Sequence, residues 1–234
     1  FRAADLGQKV ILVERFNRIG GVCLNVGCIP SKTLLHAAKV IEEAELMSTH
    51  GVSFGKPKIN IGQLREWKDG IVSQLTGGLN SLAKQRKVQI ITGMGEFVDP
   101  NHLGVTYADG NKKTIHFENA IIATGSTAAT IADLPPDSHR IIGSKQALEL
   151  KAIPKKILVV GGGYIGLELG SVYSALGSRV NILEALPHLL AGADQDLVKP
   201  LQKRLSQKFE NIYTNSTLVS VEEKEVLTHN VFRE

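Results

Sequence analysis

Apolar residues return at steps of three and four from Ser31 to Met47, at Leu34, Leu35, Ala38, Ile41 and Ala44, and Gly51 follows the run. That period predicts a helix with one buried face, stopped by glycine. A longer helix is predicted over about Asn60 to Ala83, with Ile61, Leu64, Trp67, Ile71, Leu75, Leu79 and Leu82 on the core side. Trp67 is therefore placed in the core.

The pattern then shortens to that of strands. Val88-Gln89-Ile90-Ile91, Glu96-Phe97-Val98, Leu103 to Tyr107 and Thr114 to Phe117 read as strands, with a turn at Asp109-Gly110. Ala120 to Ala123 reads as one more, running into Thr124-Gly125-Ser126. Beyond it come a short apolar strand, Lys156 to Val160, a glycine-rich turn, Gly161 to Gly166, and a helix, Leu167 to Leu176. A helix over about Asp194 to Phe209 and strands near Asn211 to Thr214 and Leu218 to Val221 complete the series. Alternating strands and helices predict an α/β protein.

The chain also repeats itself. Asp5-Leu6-Gly7-Gln8-Lys9-Val10-Ile11-Leu12-Val13-Glu14 matches Ala175-Leu176-Gly177-Ser178-Arg179-Val180-Asn181-Ile182-Leu183-Glu184 at a constant offset, with Leu, Gly, a basic residue, Val and a closing Glu in common. Each copy ends a helix at glycine, runs a buried strand and closes on a carboxylate, the second half of a nucleotide-binding βαβ unit. The second copy has its turn. Gly161, Gly163 and Gly166 suit a tight bend, close backbone approach to a pyrophosphate and helix–strand packing, and Glu184 suits a ribose 2′-hydroxyl, favouring NAD over NADP. In the first copy the equivalent turn falls before Phe1. With Phe1 in place of Met and no leader pattern, the expectation is that the chain begins within a domain.

Composition narrows the classes. The chain has 234 residues, 43% hydrophobic and 21% charged, and no apolar run approaches the ~20 residues of a membrane span. Its 27 basic and 23 acidic residues leave +4, scattered rather than clustered, and aromatics are only 5%. Neither a nucleic-acid surface nor a membrane partner is expected.

Two cysteines exclude a disulfide framework but not redox chemistry. Cys23 and Cys28 are five apart, with Gly27 between them and Pro30, Ser31 and Lys32 following. A regular helix holds such a pair too far apart to bond, so a bond between them demands a distorted, readily reduced loop. Pro30 is expected at the first position of the helix, whose positive end and Lys32 would favour thiolate. Two buried thiols or half a zinc site are the alternatives; zinc needs further Cys or His at ligand spacing, and no such spacing exists, so no metal is expected. The seven histidines, at 36, 50, 102, 116, 139, 188 and 229, are isolated along the sequence and receive no acid–base role.

The string Gly20-Gly-Val-Cys-Leu-Asn-Val-Gly-Cys-Ile-Pro-Ser-Lys32 resembles the active-site signature of flavin-dependent disulfide oxidoreductases. Leu24, Ile29 and Ser31 are most similar to the dihydrolipoyl dehydrogenase branch; mercuric reductases share the Ser and are the nearest competitor. The resemblance runs from Ala3 to about Glu222 and is lost after Val226. It implies two Rossmann-like nucleotide-binding domains with an antiparallel β insertion, incomplete at both ends: an FAD domain over 1–150, lacking its glycine loop, interrupted by an NAD domain over 151–234. It implies that Cys23 exchanges with substrate, Cys28 contacts the flavin, Lys32 stabilises charge there, and Glu168 pairs with Lys32 near the nicotinamide. For FAD it implies Glu14, Arg15, Gly20, Gly21, Val22, Lys32, Gly95, Thr124, Gly125 and Ser126. For NAD it implies Gly161, Gly162, Gly163, Tyr164, Ile165, Gly166 and Glu184, with Tyr164 either gating the nicotinamide or packing the turn. Ala128 stands where the family usually has Pro. The implied reaction oxidises dihydrolipoamide and reduces NAD. The implied partners are lipoyl domains and the acyltransferase core of 2-oxo acid dehydrogenase complexes, and a second copy in a homodimer. The implied compartment is the cytoplasm, or the mitochondrial matrix in a eukaryote. The dimerisation domain and its His–Glu pair fall outside this sequence. Mercuric or other thiol reduction, and an inactive nucleotide-binding fragment, are the competing expectations.

Overall fold

In the computed structural model of the chain, residues 1–129, 131, 134–135, 138–223 and 228–233 are described. They form two units, Phe1–Ile29 with Asp69–Thr127, and Pro30–Lys68 with Ala128–Glu234.

The first unit is built on two small sheets. Strand β1 (Ile11–Glu14) follows helix α1 (Arg2–Asp5) and pairs in parallel with β2 (Gln89–Thr92), Ile11 opposite Gln89 and Glu14 opposite Thr92. Gly7, at φ +86°, ends α1 in the left-handed region that glycine alone adopts freely. Strands β3 (Met94–Asp99), β4 (His102–Thr106) and β5 (Lys112–His116) make an antiparallel meander, with Gly110 at φ +84° in the expected turn. The strand expected at Ala120–Ala123 does not form: Ile121 and Ile122 are 87% and 72% exposed. A strand exists only where a neighbour takes its N–H and C=O groups, and no described strand pairs with this segment.

The second unit is a parallel sheet in the order β6 (Lys156–Val160), β7 (Arg179–Leu183), β8 (Asn211–Tyr213). The described residues also include α2 (Gly21–Val26), α3 (Cys28–Met47), α4 (Ile61–Gln85), α5 (Ser144–Glu149), α6 (Tyr164–Ala175) and α7 (Gln195–Leu205). Leu34 of α3, Leu167 and Val172 of α6, Val180 and Ile182 of β7, and Leu189 pack into one core. Strands β9 (Thr217–Glu223) and β10 (Thr228–Arg233) pair antiparallel; β10 carried no strand expectation, and Val226 lies outside the described residues.

Three helix expectations change. Helix α6 begins at Tyr164, inside the glycine-rich hexapeptide, because Gly163 has extended backbone (φ −77°, ψ 176°) and its carbonyl already accepts from Leu167 N–H. Helix α7 stops at Leu205 rather than Phe209, as its end tightens into three-residue bonds from Gln207 to Arg204 and from Lys208 to Leu205. On α4 the buried face runs through Lys68, Val72, Thr76 and Ala83, so Trp67 is turned outward and 43% exposed. Its indole, 6.4 Å from the His36 ring, walls a cavity of about 400 Å³. The stripe rotates because two polar residues can be buried: Lys68 Nζ donates to Leu148 O at the end of α5 (2.8 Å), and Thr76 Oγ1 donates to Val72 O (2.9 Å).

Candidate active site

The cysteine segment is two helices broken by a glycine, rather than the loop leading into a helix that the spacing suggested. Cys23 lies in α2, whose N-cap Gly20 has φ +110°, and Cys28 opens α3. Pro30 is consequently the third helical residue instead of the first, where its missing N–H is still among the four donors a helix leaves unused. Gly27 makes the break. A Cβ there would sit 3.0 Å from Val22 O and 3.1 Å from Cys23 Cα, so only glycine lets the Cys23 backbone close onto the start of α3. Both cysteines are thiols and exposed, which removes the buried-thiol alternative; the described residues contain no group of three or more potential metal-ligating His, Cys, Asp or Glu. Asn25, missed at the level of sequence, staples α2 to the chain before it by donating from Nδ2 to Ile19 O (3.2 Å) and Gly21 O (3.0 Å). A polar side chain between Leu24 and Val26 was its only signal.

In the second unit one carboxylate serves two neighbours on α3. Glu168 Oε1 pairs with Lys32 Nζ at 2.7 Å, and its Oε2 accepts from Ser31 Oγ at 2.9 Å. Ser31 is buried and Lys32 exposed, so the serine fixes the carboxylate from the core side and the lysine meets it from solvent. The sequence paired Glu168 with Lys32 by resemblance; the role of Ser31 was not foreseen.

The glycine turn lies in the same unit, between β6 and α6. Gly161, at φ +108°, donates its N–H to Leu183 O (2.8 Å), and Gly162 O accepts from Leu190 N–H (3.1 Å). Gly162 N–H donates to Glu184 Oε2 (2.6 Å), while Glu184 Oε1 accepts from Leu186 N–H (2.8 Å). A side chain at Gly162 would meet Leu189 Cδ2 at 2.5 Å, and one at Gly166 would run into Gly161 O. At Gly163 a Cβ would meet nothing within 4 Å. The cradle is thus closed on its protein side and open at the start of α6, where Tyr164 and Ile165 are exposed and the helix offers free N–H groups and a positive dipole end. A pyrophosphate fits such a cradle.

The first unit holds the remaining candidates. Glu14 ends β1 and accepts from Phe16 N–H at Oε1 (3.0 Å). The Arg15 guanidinium stacks over the Phe16 ring, 4.6 Å from its centroid. Gly21 has φ +67°, and Val22 is exposed. Gly95 lies in β3, where a Cβ would make ordinary contacts with Leu103 (3.4 Å) and with Val13 of β1 (3.5 Å), beside the strand that ends at Glu14. Thr124, Gly125 and Ser126 are exposed outside regular structure, with Gly125 at φ +72°.

The profile of the family described as pyridine nucleotide-disulphide oxidoreductase matches residues 1–234. The chain is 48% identical over 225 residues to the dihydrolipoyl dehydrogenase of Vibrio cholerae, covering 96% of this chain and 47% of that protein. It is 43% identical over 224 residues to the mitochondrial dihydrolipoyl dehydrogenase of Dictyostelium discoideum, covering 95% and 46%. Among solved structures, the HOCl-induced flavoprotein disulfide reductase RclA of Escherichia coli superposes with a TM-score of 0.81 at 27% identity, over 98% of this chain and 49% of that one. The chain spans about half the length of the curated relatives it matches. With its whole length matched by the profile and its thiols and glycine cradle in place, the chain belongs to the pyridine nucleotide-disulphide oxidoreductase family.

Proposed function

We propose that this chain carries the dithiol and the NAD cradle of a dihydrolipoyl dehydrogenase, which oxidises dihydrolipoamide to lipoamide and reduces NAD. The observation that carries the reading is the glycine break at Gly27, which brings the backbone of Cys23 onto the start of α3 with both thiols exposed. A pair held this way can alternate between disulfide and dithiol with local rearrangement only.

Two nucleotide cofactors are implied. The second unit has what NAD requires: an open side at Gly163, a turn that excludes side chains at Gly162 and Gly166, and the Glu184 carboxylate. That carboxylate suits a ribose 2′-hydroxyl and repels a 2′-phosphate. The first unit has the ribose-type carboxylate, Glu14, at the end of β1. Glu14, Arg15, Gly20, Gly21, Val22, Lys32, Gly95, Thr124, Gly125 and Ser126 would hold FAD, and Gly161 to Gly166 with Glu184 would hold NAD. We assign residues 1–150 to FAD and 151–234 to NAD on that basis. FAD, when bound, supplies the two-electron relay between thiols and NAD.

The chain's own residues do the sulfur chemistry. A substrate thiolate attacks Cys23 Sγ of the oxidised pair, forming a mixed disulfide and releasing Cys28 as thiolate. The second substrate thiolate then displaces Cys23, so lipoamide leaves with its ring disulfide and the pair is left holding two electrons. Lys32, one helical turn beyond Cys28, and the positive start of α3 favour the thiolate form. Glu168 and Ser31 hold Lys32 in place. The partners on this reading are lipoyl domains and the acyltransferase core of 2-oxo acid dehydrogenase complexes, and a second copy in a homodimer. The compartment is the cytoplasm, or the mitochondrial matrix in a eukaryote.

The test is NADH production from dihydrolipoamide and NAD by the protein purified at natural length from its host, beside Cys23→Ser. Turnover that the variant loses supports the reading. Turnover only with mercuric ion and NADPH would move the protein to the mercury-reducing branch.

A further inference from the structure

Two histidines fourteen residues apart in sequence meet on the antiparallel meander. His102 of β4 lies directly opposite His116 of β5. Their position in the ladder follows from the flanking bonds: Phe117 N–H donates to Asn101 O, and Tyr107 N–H donates to Asn111 O. Paired positions alternate between bonded and non-bonded, so with Asn101–Phe117 and Tyr107–Asn111 bonded, His102–His116 is a non-bonded pair, the kind in which side chains approach most closely. The two ring centroids are 5.1 Å apart, with planes at 62°.

We propose that His102 and His116 form a chelating site for a divalent ion that prefers imidazole, of which Zn²⁺ is the test case. With a Zn–N bond of about 2.1 Å and a tetrahedral angle, two imidazoles on one ion have centroids roughly 5 Å apart, close to the spacing already present. The tautomer is set as well. His102 Nδ1 lies 2.9 Å from both Asp99 carboxylate oxygens, so Nδ1 carries a proton toward Asp99 and Nε2 is the free ligand atom. A carboxylate behind a ligating histidine fixes the ring and makes it a better donor. Asp99 is itself held, accepting from Asn101 N–H at 2.8 Å. His102 is half-exposed and His116 exposed, so an ion enters without opening the sheet and keeps water in its other positions. Neither histidine belongs to the thiol or nucleotide machinery, and sequence spacing gave no sign of the pair because only the strand register brings it together.

The experiment is calorimetric titration of the chain with Zn²⁺ alone, after alkylating Cys23 and Cys28 with iodoacetamide so that the thiols do not compete, beside His102→Ala, His116→Ala and Asp99→Asn. One-to-one binding, lost in either histidine variant and weakened about tenfold in Asp99→Asn, supports the site. NMR of the ring protons, with His102 and His116 alone shifting, supports it independently. Affinity unchanged in both histidine variants, no binding by the folded chain, or shifts spread over the other histidines would overturn it.

Discussion

The two copies of the repeated segment share a sequence and differ in what surrounds them. In both, the strand closes on a glutamate that accepts from the amide two residues on: Glu14 from Phe16 at 3.0 Å, Glu184 from Leu186 at 2.8 Å. In both, the next strand pairs in parallel with the same register, Leu12 opposite Ile90 and Ile182 opposite Ile212. Yet Leu12 is 37% exposed, while its counterpart Ile182 is fully buried. Strand β7 has β6 on its other side and α6 over its face; β1 has β2 alone as a ladder neighbour among the described residues. The carboxylate turn is a local property of the repeat, whereas burial belongs to the neighbours.

Substitutions at matched positions put numbers on that difference. Ile182→Ala should cost about 2–5 kcal/mol, the range for emptying a packed core site, and its counterpart Leu12→Ala less than about 1 kcal/mol, read by urea unfolding of each variant. Equal losses would mean the copies are packed alike. Next in size is the glycine turn of the second copy. Gly166→Ala drives a methyl into Gly161 O and should cost about 1–3 kcal/mol as overpacking. Gly163→Ala should leave stability within about 0.5 kcal/mol while weakening NAD binding, measured by calorimetry, because its side chain fills the open side of the cradle. A third comparison sets Glu184→Gln against Glu14→Gln. The former carboxylate accepts two backbone N–H bonds and the latter one, so the first substitution should cost more, with each bond worth about 1 kcal/mol.

The smallest effect is one of pH. Asn181 of β7 donates to Glu210 at 2.8 Å, and this bond, followed by the charges of Lys156 and Arg179, holds the Glu210 carboxyl below its ordinary value of 4.5. A carboxyl depressed by folding stabilises the fold above its unfolded pKa, and that contribution is lost as pH falls through the folded value. The first copy has Ile11 at the position of Asn181 and no such bond. Replacing Asn181 with Ala should therefore raise the Glu210 titration toward 4.5 in a carbon-detected NMR titration, and an unchanged midpoint would remove the asparagine as its cause.

What could be read in advance was whatever a short stretch of chain decides. The repeat, the β3–β5 meander, the glycine cradle and the cysteine motif were all legible, since each is written in adjacent residues. The failures have a common physical origin in distant partners. Lys68 turns α4 because a carbonyl at Leu148 receives its ammonium, and hydrophobic periodicity has no view of that acceptor. Ala120–Ala123 has strand residues but no ladder to join. His102 and His116 are isolated in sequence and face each other across a register.

The bond from the Gly162 amide to Glu184 sets how this loop behaves in time. With Gly161 tied to Leu183 and Gly162 held at both its N–H and its C=O, the turn acquires its shape when the sheet folds. The Gly162 amide should accordingly exchange with deuterium slowly in the unliganded chain, opening only as the strands themselves open. A nucleotide arriving there meets a surface with little disorder left to remove, so its entropy of binding is set by water and by the ligand's own bonds.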